Sequence, residues 1–219
     1  MVAFHLLYDL TELFCLVSWR IPTWAWGLSA VGGKVFILLS GICATLGSRP
    51  VKRGVLLLGA GMGVSAVTVL LYRTGFGDES VLIYFGVLHC LGCCMLLWPL
   101  FRRLGRMALL LTGLALMGLG WYVAEYVRAD SMWLLPFGVL PPGFATADYF
   151  PLLPNLGFFL TGGALGRTLY RRRRSLFAQM DPGIPVVSML RWVGKRSLPV
   201  YLFHQPVLTG ICMLLEWLD

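Results

Sequence analysis

Residues 194–208 read GKRSLPVYLFHQPVL. A basic turn at Lys195 and Arg196 runs directly into an apolar stretch that carries His204, Gln205 and Pro206. That stretch extends to about Trp217, long enough to cross a bilayer as a helix, which needs about 20 residues. An ionisable side chain inside such a segment is costly and marks a functional position. The chain has three histidines, His5, His89 and His204, and each lies in an apolar segment of its own.

Working outward, the whole chain has this character. Its 219 residues are 58% hydrophobic and only 13% charged, and the mean hydropathy is +0.78. Soluble domains carry roughly 25% charged residues. The fold class is therefore all-α: a polytopic helical membrane protein, with one integral membrane domain over residues 1–219. A transmembrane β-barrel would need alternating strands of about 10 residues, a pattern the chain lacks. About seven spans are predicted: 1–18, 27–47, 54–72, 80–101, 107–127, 151–170 and 197–217. The first begins in its apolar middle, so an upstream half is expected, and no cleavable signal peptide is visible. No internal repeat stands out.

The net charge is +8, and membrane orientation rather than nucleic acid explains it. Three alternate loops carry the basic residues: Arg49, Lys52 and Arg53; then Arg102, Arg103 and Arg106; then a cluster from Arg167 through Arg171–Arg174 to Arg196. The other loops hold only Arg20, Arg73 and Arg128. By the positive-inside rule the N-terminus is cytoplasmic and the C-terminus external. The six cysteines lie in apolar stretches and read as small hydrophobes. Cys90 and Cys93 form a CxxC without a second pair, so no metal site is expected.

Several constellations could carry chemistry. His5, Tyr8, Asp9 and Glu12 share one helical face, and Asp9 can reach His5 at i,i+4. A carboxylate beside an imidazole orients it and raises its basicity, as a general base requires; the alternative is an inert hydrogen-bonded stripe. His89 sits between Gly86 and Gly92 in FGVLHCLG (85–92), either structural or open to a ligand. Asp148 and Tyr149 stand at the mouth of the sixth span. Asp148 either binds the acceptor or caps its own helix. Pro206 frees the carbonyl of Leu202 beside His204 and Gln205, as in helices that line cavities. Arg171 and Arg172, within the run of four arginines, serve topology or clamp phosphate groups. The aromatic, Pro-rich loop 128–150 is either functional or an interfacial belt. Gly59 with Gly63, and Gly162 with Gly166, have the spacing of close helix packing.

Together the motifs FHLLYDL (4–10), FILLSG (36–41), FGVLHCLG (85–92), DYFPLLPNLG (148–157) and GKRSLPVYLFHQPVL (194–208) resemble the small prokaryotic membrane proteins grouped with the catalytic domain of heparan-α-glucosaminide N-acetyltransferase. The resemblance covers nearly the whole chain. It implies an enzyme of the prokaryotic cytoplasmic (inner) membrane. The donor would be acetyl-CoA or another acyl-CoA, taken from the cytoplasm, with no metal. The acceptor would be a hydroxyl or amine of a small molecule, glycan or envelope component on the other face. His5 matches the family's first-helix histidine, the proposed catalytic residue, and His204 its terminal-helix histidine. The family's arginine eleven residues before the first histidine has no counterpart here. His89 falls where the animal enzymes carry a glutamine.

The residues agree with this in outline: His5 oriented by Asp9 would be the base, with His204 on the donor. Tyr8, Glu12, His89, Asp148, Tyr149, Gln205, Arg171 and Arg172 would bind donor or acceptor. Seven helices are few to enclose a CoA tunnel, which points to a homodimer. Two other functions fit intramembrane His, Asp and Glu. One is a proton-coupled small-molecule transporter, which a repeated pair of broken helices would favour. The other is a non-catalytic membrane subunit whose polar residues only join helices.

Overall fold

The computed structural model describes residues 2–14, 16–75, 79–171 and 185–218. It divides into two compact units, residues 1–33 with 175–219, and residues 34–174. Among the described residues the structure is helical and contains no β-strand, only one isolated parallel bridge, Phe85 to Tyr149.

The first unit holds α1 (Val2–Tyr8), which widens without a break into a π-helix over Asp9–Leu13. It also holds the start of α2 (Thr23–Leu46), α7 (Pro185–Lys195) and α8 (Ser197–Leu218). In the π turn the N–H of Phe14 reaches back five residues to the Asp9 carbonyl at 2.9 Å. Trp26 of α2 packs edge-on against Phe4 and Tyr8, at ring separations of 5.3 and 5.9 Å. α7 falls in the stretch expected to be loop. A turn at Arg196 joins it to α8, and that guanidinium lies 4.6 Å over the Trp192 ring.

The second unit holds the rest of α2, α3 (Pro50–Arg73), α4 (Val87–Phe101), α5 (Arg106–Tyr126) and α6 (Leu152–Leu169). α3 starts at Pro50, whose fixed φ suits the first helical turn. Its core is Ile37, Leu109, Phe159 and Leu160, all fully buried, with the nearly buried Trp98. α2 and α6 meet backbone to backbone: a methyl group on Gly41 would lie 1.9 Å from the Phe159 carbonyl oxygen, and one on Gly162 only 2.0 Å from that of Leu38. Gly162 and Gly166 thus pack as their spacing predicts, whereas Gly59 and Gly63 face open space, and the packed glycines of α3 are Gly54 and Gly61.

The expectation of seven spans is met in part. Among the described residues four helices are long and apolar enough to cross a membrane: α2, α3, α5 and Leu198–Leu215 of α8. α4 is apolar but only 15 residues long, because residues 80–86 form a short 3-10 turn and an extended segment instead of helix. Their hydropathy matches a helix, but their backbone pairs with the 146–150 segment. α6 has a non-helical Leu153 near its start. The outer faces of α3 and α8 expose Val55, Leu56, Met62, Phe203 and Leu214, as lipid contact requires.

A repeat is present after all. α3, a connector and α4 are matched by α5, a connector and α6. Gly54 abuts the carbonyl oxygen of Gly92 at 3.0 Å from its ideal Cβ, and Gly113 abuts that of Gly157 at 2.9 Å. Gly92 faces Leu58, and Gly157 faces Met117, each at 2.6 Å. The sequences align once these contacts set the register: GVLLLGAG (54–61) with GLALMGLG (113–120), and YFGVLHCLG (84–92) with YFPLLPNLG (149–157). Equivalent positions also touch each other. The Leu82 carbonyl accepts the N–H of Ala147 at 3.2 Å, the Phe85 carbonyl that of Phe150 at 3.0 Å, and Trp98 fills the space beside Gly163. α4 lies against α6, with α3 packed on α4 and α5 packed on α6.

Candidate active site

In the first unit α8 lies against α1 and its π extension. His5 of α1 and His204 of α8 have ring centroids 5.1 Å apart. Asp9, the first residue of the π turn, is fully buried. Its carboxylate is held by Gln205, whose Nε2 donates at 2.9 Å to Oδ1 and 3.1 Å to Oδ2. α-to-π transitions cluster at functional sites because they reposition side chains by a fraction of a turn. Here the widened turn begins at the residue that meets α8.

His204 Nδ1 is bonded to the carbonyl oxygen of Tyr201, one turn earlier. A carbonyl only accepts, so Nδ1 carries the proton and Nε2 keeps its lone pair. That Nε2 is buried without a hydrogen-bond partner, as is the Oε1 of Gln205. Two acceptors on α8 thus stand unsatisfied. A ligand N–H or O–H would satisfy them, and leaving them unmet is costly.

Sequence and structure agree in part on this cluster. His5, Asp9, His204 and Gln205 come together. The expected pairing of Asp9 with His5 is not made: no hydrogen bond or ion pair joins them, and Asp9 takes Gln205 instead. Gln205 is thus a partner of Asp9, a contact that crosses 196 positions and has no local signature. Tyr8 packs on Trp26. Glu12 lies in the π turn, and its side chain is outside the described residues. The role of the Tyr201 carbonyl was also not anticipated; the signal available was its i,i+3 spacing to His204.

The second unit carries the remaining candidates. His89 is buried one turn into α4, its ring stacked 5.6 Å from Phe85. Its Nδ1 accepts the N–H of Gly86 at 3.3 Å, and its Nε2 is buried without a partner. Asp148 caps a helix, but not its own: its Oδ2 accepts the N–H of Val87, the first residue of α4, at 2.9 Å. Burial pushes its carboxyl up to about 6, with the Val87 N–H pulling the other way. The Tyr149 hydroxyl donates to the Leu135 carbonyl at 2.7 Å, and burial raises it to about 12. Arg171 is exposed just past α6; Arg172 lies outside the described residues. Arg167 is a structural residue: it donates to the Leu104 and Arg102 carbonyls and lies 5.6 Å over Trp98.

The family described as heparan-alpha-glucosaminide N-acetyltransferase, catalytic, matches residues 1–206. The chain belongs to this family. The match spans both units and takes in His5, Asp9, His89, Asp148, His204 and Gln205. No curated protein and no solved structure matches the chain. Membership in the heparan-alpha-glucosaminide N-acetyltransferase catalytic family makes the protein a membrane transferase of the acyltransferase type, and its long apolar helices agree.

Proposed function

We propose that the protein takes an acetyl group from cytoplasmic acetyl-CoA and passes it to a hydroxyl or amine of a glycan or envelope component on the opposite face. The observation that carries this is the half-buried His5–His204 pair, with the buried, unpartnered Nε2 of His204, in a chain of this family. The acceptor heteroatom attacks the thioester carbonyl carbon. Its proton passes to His204 Nε2, the lone-pair nitrogen, which supports assigning the base to His204 rather than His5. The C–S bond breaks, and the proton moves on to the CoA thiolate, so His204 ends neutral. His5 would hydrogen-bond the carbonyl oxygen as charge develops there. Asp9 and Gln205 hold α1 and α8 in register. Arg171 and Arg172 suit the CoA phosphates by charge.

The test is equilibrium binding of acetyl-CoA to the protein in nanodiscs, with transfer of radiolabelled acetyl to membrane components. Binding should survive in His204→Ala while label transfer falls at least 100-fold. Equal transfer by His204→Ala and wild type would refute the assignment. A proton-coupled transporter is the second reading, favoured by the matched arrangement of α3 with α4 and α5 with α6. It predicts solute-dependent proton movement in proteoliposomes without release of free CoA.

A further inference from the structure

α7 stands at the entrance to a membrane span with its apolar side uncovered. The helix ends at Lys195, and the apolar stretch of α8 begins at Leu198. The turn between them is hydrogen-bonded: the Arg196 N–H donates to the Val193 carbonyl at 3.0 Å, and the Val200 N–H to the Arg196 carbonyl at 3.1 Å. α7 is thereby held at the end of a span, where a bilayer has its headgroups. Its 11 residues, PVVSMLRWVGK, are too few to cross. Helical spacing places positions 186, 189 and 193 on one side of it and positions 188, 191 and 195 on the other. Val186 and Met189 are 64% and 63% exposed, so the described residues leave the apolar side open.

The charge of the segment says what covers that side. Arg191, Lys195 and Arg196 fall within or just after the helix, and no acidic residue lies between Pro182 and Leu215. A second copy of α7 would bring like charges together, which disfavours self-association. Trp192 is exposed, with the Arg196 guanidinium 4.6 Å over its ring. An indole paired with a cation suits the level where acyl chains give way to phosphates. A lipid surface satisfies both sides of such a helix at once. We infer that α7 is an interfacial helix that binds anionic phospholipid, its Val186–Met189–Val193 side at the acyl boundary and its basic residues at the headgroup phosphates. The same turn leads into α8, so this contact sets the level at which α8 enters the bilayer, less than two turns before His204. The inference holds whether or not the protein transfers acyl groups.

The test is photocrosslinking of the whole chain in nanodiscs of equal phosphatidylcholine and phosphatidylglycerol. A benzophenone amino acid replaces Met189 or, as the control, Ser188, and adducts are read by mass spectrometry. The probe at 189 should label phospholipid at least 5-fold more than the probe at 188, and its adducts should favour phosphatidylglycerol at least 3-fold. Changing Arg191, Lys195 and Arg196 together to Gln should bring that preference to parity while lipid adducts still form. Saturating acetyl-CoA should leave the preference unchanged. Adducts at 189 mainly with protein, from the same chain or a second copy, would overturn the inference. So would equal labelling from 188 and 189, or equal adducts with the two lipids when the basic residues are intact. Loss of the preference on adding acetyl-CoA would overturn it too, by assigning the basic residues to the donor's phosphates.

Discussion

Gln205 gathers the first unit's polar residues, and only its partner explains why it is there. The sequence singles out His5, Asp9 and His204 because ionisable groups in apolar segments stand apart. It pairs Asp9 with His5 by helical spacing, but no local rule could pair it with a glutamine at the far end of the chain. Gln205→Leu would strand a fully buried carboxylate, at a cost of about 3 kcal/mol. We expect a clear drop in unfolding temperature, and Gln205→Asn should not restore it, because the shorter amide cannot span both carboxylate oxygens. Asp148 gives a second prediction. Its carboxyl is raised from the ordinary 3.8 to about 6. The folded state therefore holds the proton more tightly than the unfolded chain. Its stabilising share is fully present below about 3.8 and is lost as pH rises through about 6. Unfolding temperature should fall across that window in wild type and stay level in Asp148→Asn, whose amide oxygen still accepts the Val87 N–H. An equal fall in the variant would place the titration elsewhere.

Among the elements, hydropathy identifies α2, α3, α5 and α8 because each is a long apolar run. It fails over residues 80–86, where Val81, Leu82, Ile83 and Phe85 are as apolar in an extended chain as in a helix. It also fails for the repeat. The long helices and the short helices match at different offsets, since the connector after α5 is longer than the one after α3. A single-register comparison therefore dilutes both matches, and only the glycine contacts align them. Those contacts can be tested by adding one methyl group. Gly162→Ala would drive a Cβ to 2.0 Å from the Leu38 carbonyl oxygen, while Gly59→Ala meets nothing within 4 Å. Overpacking of this kind costs about 1–3 kcal/mol. Gly162→Ala should lower yield and unfolding temperature in detergent, and Gly59→Ala should match or slightly exceed wild type, as better helix propensity dictates. Reversal of that order would mean α2 and α6 are not in backbone contact.

For the whole molecule, composition alone shows a membrane protein, and the family match over residues 1–206 gives the transferase class. Four crossings are shown among the described residues, and α4, though apolar, is only 15 residues long. Orientation rests on the alternation of basic loops. We expect cysteines placed at Ser48 and Arg103 to react with an impermeant thiol reagent only from the cytoplasmic face, and one at Asp130 only from outside. The account as a whole turns on whether the paired histidines act on an acyl thioester. The measurement that reaches this most directly is release of free CoA thiol from acetyl-CoA by the purified protein, for wild type, His5→Ala and His204→Ala. Slow release in wild type, lost at least 100-fold in His204→Ala with acetyl-CoA binding intact, is the predicted result. Binding of acetyl-CoA with equal thiol release in all three proteins would contradict it.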